Sequence, residues 1–119
     1  TTAVPDTELV RILTLVGLEH FSARLDDTDD WSRILSLGEQ QRLAFARILL
    51  IRPNWIFLDE ATSALDEPRE HALYELLYQE LPAASIISVG HRSTLFAVHD
   101  TELRLTDQTY IYQEISHES

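Results

Sequence analysis

The sequence predicts an α/β domain with a mostly parallel sheet flanked by helices and a closing C-terminal β-hairpin. Three observations carry this. Two short runs, 55-WIFL-58 and 85-SIISVG-90, are mainly apolar, as strands of a parallel sheet are. Apolar residues at helical spacing fill the stretches before and between them. Near the end, 102-ELRL-105 and 110-YIY-112 alternate across a Thr-Asp-Gln turn, which marks a hairpin. The order helix, strand, helix, strand, hairpin selects that class.

Each element has a local reason. Pro5-Asp6 is a stop-and-start signal. From Thr7, the set Leu9, Val10, Ile12, Leu13 and Val16 has helical spacing, and Gly17 suits a left-handed cap at the helix end. A second short helix is expected over 18–25. The run 26-DDTDD-30 reads as a solvated acidic loop, because it lacks the bend Gly and terminal Glu of an EF-hand calcium loop.

Ser36 then opens the strongest helix. The stretch 36-SLGE-39 has capping-box form, with a hydroxyl for an orphan N–H and a Glu three residues on. Leu43, Ala46, Ile48, Leu49 and Leu50 carry it inward until Arg52-Pro53 stops it. The run 55–58 is expected to be covered on both faces. Asp66 or Glu67 caps the next helix, with Pro68 in its first turn and Leu73, Leu76, Leu77 and Leu81 as its buried stripe. The strand 85–90 is also expected to be buried. It ends at His91, and a brief helical segment over 93–98 leads to the hairpin.

Composition narrows the function. Twenty acidic residues against nine basic ones give a formal charge of −11, which repels nucleic-acid phosphates and anionic lipid. Nucleic acid is therefore not an expected partner. An anion bound by this chain must be held by local donors such as helix N-termini. With no cysteine there is neither a disulfide framework nor a thiolate metal site. Met is absent even at position 1, which points to a piece of a longer chain.

The first chemical signal is Asp59-Glu60, delivered at the carboxyl end of an apolar strand, the edge where open α/β sheets bind ligands. Adjacent strand residues point to opposite sides, so the two acids divide their work. One can hold hydrated Mg²⁺ while the other takes a proton from water, a combination that suits phosphoryl transfer. Taken alone, the pair reads equally well as acids beginning a loop. The second signal is the start of the Ser36 helix. A plain N-cap explains Ser36 and Glu39, but Gly38 in the first turn costs helix stability, and close approach of a phosphate accounts for it.

Together these stretches resemble the ATPases of ABC transporters. Residues 35-LSLGEQQR-42 look like the family's signature motif, 55-WIFLDE-60 like its Walker B strand, 63-SALD-66 like its D-loop and His91 like its switch histidine, all in the family's order. The wording of 35–46 and of 88-SVGHRSTL-95 looks closest to the branch of peroxisomal fatty-acyl transporters and their bacterial relatives, in which the ATPase is fused behind a membrane domain. Leu37 departs from the pattern, standing where the family has its first Gly.

The resemblance implies a P-loop NTPase fold and a set of roles. Asp59 holds Mg²⁺ through water, Glu60 is the general base, and His91 contacts the γ-phosphate. Ser36, Gly38 and Glu39 form the signature site for a nucleotide held by an opposite domain, and Ser63 and Asp66 act across that dimer seam. ATP and Mg²⁺ are the implied cofactors. A second nucleotide-binding domain and a transmembrane domain are the implied partners, at the cytoplasmic face of a membrane. Residues 1–35 correspond to part of the helical subdomain with the acidic loop, and 36–119 to the C-terminal part of the RecA-like core.

The family's Walker A loop ends in Gly-Lys-Ser/Thr, and this chain contains no lysine. The expectation is therefore a partial fold without Walker A, belonging to an active ATPase but inactive by itself. Two alternatives stay open: an ABC-type ATPase of DNA repair or translation, and a non-hydrolysing interaction half-domain.

Overall fold

The computed structural model describes residues 4–24 and 31–117 and divides into two compact units, Thr1–Val89 and Gly90–Ser119. The predicted acidic loop lies outside the described residues. No described helix is long and apolar enough to cross a membrane.

The first unit begins with α1 (Asp6–Leu15) after an extended Pro5, and Gly17 takes the left-handed backbone (φ 80°) expected at its end. The short helix expected over 18–25 is a 3₁₀ segment over Glu19–Arg24. Trp31–Ile34, where the sequence predicts no element, forms the short helix α2.

Helix α3 (Leu37–Ile51) has Ser36 as its N-cap, with both halves of the capping box made. It ends where Arg52 turns left-handed (φ 54°) before Pro53. Its buried residues are Phe45, Ala46 and Leu49. The predicted inward set omitted Phe45, and Leu43, Ile48 and Leu50 are only half-buried. Phe45 gains its burial by meeting Tyr74 edge to face, ring centroids 6.1 Å apart. Arg42 ties α3 back to the end of α1 by donating from Nη1 to the Gly17 carbonyl at 3.0 Å. The left-handed backbone favours glycine at 17, and a Cβ there would sit 2.9 Å from that same Nη1, at the movable end of the arginine.

Strand β1 (Trp55–Asp59) pairs in parallel with β2 (Ser85–Val89), in the register Trp55 to Ser85 through Asp59 to Val89. Backbone bonds extend the ladder at both ends, from Ser85 N–H to the Asn54 carbonyl and from Glu60 N–H to the Val89 carbonyl. Here the structure corrects the expectation of strands covered on both faces. Ile56 and Leu58 are buried, but Trp55 is 62% and Phe57 72% exposed. Ile87 and Val89 are exposed on the same face. A run apolar at every position carries no information about which face is packed, and here only one is.

Helix α4 (Glu67–Glu80) lies between the strands in sequence, with Asp66 as N-cap and Pro68 in its first turn as expected. Leu73 and Leu77 are buried, as is Leu81 just past the helix, whereas Leu76 is half-buried and Glu70 and Tyr74 complete the face. The Tyr74 hydroxyl reaches Ser88 Oγ on β2 at 2.7 Å, and burial pushes its ionisation above the ordinary tyrosine range.

The second unit holds a 3₁₀ segment at Ser93–Val98 and an antiparallel hairpin of β3 (Thr101–Leu105) and β4 (Tyr110–Glu114). The hairpin is closed by bonds between Thr106 and Thr109. This is the hairpin that the alternating pattern predicts.

Candidate functional site

The residues singled out from sequence fall mainly on two features of the first unit, the start of α3 and the turn after β1. At the helix start, Ser36 Oγ accepts from the Glu39 N–H at 3.1 Å, and Glu39 Oε1 accepts from the Ser36 N–H at 2.9 Å. The second carboxylate oxygen of Glu39 meets His20 Nε2 at 3.1 Å. The Ser36 backbone bond, helped by His20, holds the Glu39 carboxyl below its ordinary range.

The amides of Leu37 and Gly38 find no protein acceptor among the described residues. They stand beside the Ser36 hydroxyl at the positive end of a 15-residue helix, a donor set that fits an anionic oxygen. Leu37 is 59% exposed. A Cβ on Gly38 would meet Leu65 Cδ2 at 3.4 Å and the Ala64 carbonyl at 3.6 Å, ordinary contacts. Internal packing therefore does not demand glycine here.

Asp59 closes β1 on the exposed sheet face that also carries Trp55 and Phe57. Glu60 is not the next strand residue in conformation. Its φ of 53° places it in the left-handed region, which a non-glycine residue occupies only under constraint. The chain therefore turns between the two acids, and strand alternation does not extend to Glu60. Among the described residues no group of three or more His, Cys, Asp or Glu forms a metal cage. Asp59 offers a single exposed carboxylate, a donor that fits Mg²⁺ keeping most of its waters and taking phosphate oxygens.

The turn from 60 to 65 is tied to α3 through Gln41. Its Nε2 donates to Ser63 Oγ at 2.9 Å and to the Glu60 carbonyl at 3.3 Å, while its Oε1 accepts the Ala64 N–H at 2.9 Å. Sequence reasoning did not single out Gln41. The signal was available in its spacing from Gly38: residues three apart share one helix face, and both meet this turn. Asp66 caps α4, accepting from the Arg69 N–H at 3.0 Å and pairing with its guanidinium at 2.9 Å. His91 is in the other unit, two residues beyond Val89, and is exposed.

Comparison with known proteins shows the family. The family model described as "ABC transporter" matches residues 4–63, which include the α3 start and the acid pair. An uncharacterized ABC transporter ATP-binding protein of Haemophilus influenzae is 54% identical over 105 residues, 88% of this chain and 18% of that protein. The chloroplastic ABC transporter D family member 2 of Arabidopsis thaliana is 49% identical, over 83% of this chain and 14% of its own length. The mouse lysosomal cobalamin transporter ABCD4 is 47% identical, over 84% of this chain and 17% of its own length. The chain thus spans less than a fifth of these relatives. With half of its residues under the family model, the chain belongs to the ABC transporter family and is part of an ATP-binding domain.

Proposed function

We infer that this chain carries the hydrolytic half of an ABC ATP-binding domain, in a transporter that couples ATP hydrolysis to movement of a substrate across a membrane. In this reading 1–35 belong to the helical subdomain and 36–119 to the RecA-like core. Asp59 holds Mg²⁺ through water, and Glu60 takes the proton of the attacking water. His91 contacts the γ-phosphate, and Ser63 and Asp66 lie along the dimer seam. Ser36 and the amides of Leu37 and Gly38 bind the γ-phosphate of a nucleotide held by a second ATP-binding domain. Bound Mg²⁺ supplies charge neutralisation on the phosphate oxygens. The partners are that second domain and a transmembrane domain, with the ATPase on the cytoplasmic side.

One observation carries the reading: two consecutive acids at the carboxyl end of a parallel strand, one on an exposed sheet face and the other on a hydrogen-bonded turn. The test is Glu60→Gln in the full-length transporter. Loss of a general base lowers turnover about 10²- to 10⁴-fold, and the variant accumulates a nucleotide-bound dimer. Turnover at the wild-type rate would rule out Glu60 as the base.

A further inference from the structure

We propose that Gln41 is a positioning residue for hydrolysis, fixing the turn that carries Glu60. This rests on the reading of Glu60 as general base.

Glu60 sits in a backbone conformation that its own side chain disfavours, so the surroundings must hold it there. Its N–H is anchored on β2 through the Val89 carbonyl at 2.9 Å. Its carbonyl receives the Ser63 N–H at 3.3 Å, a long bond, and the Gln41 amide at 3.3 Å. Gln41 is unusual in committing both ends of its amide to the same short turn, donating to 60 and 63 and accepting from 64. A primary amide suits this task, because no other side chain of that length offers a donor and an acceptor side by side. Removing it takes one bond from the Glu60 carbonyl and frees the Ala64 N–H. The turn can then relax and carry the carboxylate away from the attacking water, and a displacement of about 1 Å at a reacting group costs up to about 10²-fold in rate. The helix bearing Gln41 also carries Ser36 and Gly38 at its start, so the base's backbone is coupled to the element that faces the opposite nucleotide.

The experiment measures ATP hydrolysis by the full-length transporter carrying Gln41→Ala, alone and combined with Glu60→Gln. Expected are a kcat about tenfold or more below wild type with KM for ATP within about threefold, and no further loss when Gln41→Ala is added to Glu60→Gln. Losses that multiply in the double variant would show a general structural defect and overturn the proposal, as would a Gln41→Ala enzyme of wild-type kcat. If Gln41→Ala does not fold, Gln41→Glu is judged by the same criteria. It keeps the acceptor for Ala64 and the side-chain volume but loses the donor to Glu60. If Glu60→Gln itself hydrolyses ATP normally, the general-base reading fails and this proposal with it. An inactive Glu60→Gln beside a fully active Gln41→Ala removes the proposal alone.

Discussion

Thr62 and Glu70 meet inside the first unit, with the Thr62 hydroxyl donating to Glu70 Oε2 at 2.5 Å and both residues almost fully buried. A carboxyl group with no solvent access needs such partners, since losing one leaves a desolvated acceptor. Thr62→Val keeps the shape and deletes the donor. It should cost about 1–3 kcal/mol in chemical denaturation. Glu70→Gln, whose amide oxygen still accepts, should cost less. Equal stability of Thr62→Val and wild type would show that the bond is dispensable.

The exposed sheet face should make the chain sticky on its own. Trp55, Phe57, Ile87 and Val89 form a contiguous apolar surface of the kind that soluble monomers seldom display. Light scattering of the 119-residue chain is expected to show self-association that grows with concentration and is weakened by Phe57→Ser. A monodisperse monomer at high concentration would contradict this.

Acid should loosen the start of α3. The Glu39 carboxyl titrates below its ordinary 4.5, chiefly because the Ser36 N–H favours its ionised form. A group depressed in the folded state contributes stability that is complete above its unfolded value and lost as pH falls through the folded one. Denaturation followed from neutral pH to about pH 3 should therefore fall more steeply for wild type than for Glu39→Gln. Parallel curves would remove Glu39 from the acid response.

The chain by itself should not hydrolyse ATP. It contains no lysine, and a Walker A phosphate loop needs one. Titration calorimetry is expected to find weak ATP binding at most. Micromolar affinity would require a phosphate site that the present residues do not explain.

Much of the backbone plan was legible because its causes are local. Ser36 and Asp66 cap their helices through side chains acting within three residues, and the hairpin follows from alternation plus a turn. Which faces are buried was less legible. Uniformly apolar β1 reads the same whether one side is covered or two, and Phe45, Glu70 and Tyr74 are buried by partners distant in sequence. At the site, the position of Asp59 at the strand's end could be read, but the left-handed turn at Glu60 could not. Nothing in Asp-Glu-Ala-Thr announces it, and the clamp that sustains it comes from Gln41, 19 residues upstream.

That turn sets chemistry and durability against each other at a single position. Inside a helix or strand, glycine is about 0.5–1 kcal/mol less stabilising than alanine, but at φ 53° it is the comfortable occupant. Glu60→Gly should accordingly melt no lower than wild type in a thermal scan while the full-length protein loses turnover. Selection for robustness alone would discard the acid, so its presence in so uncomfortable a place is a mark of use.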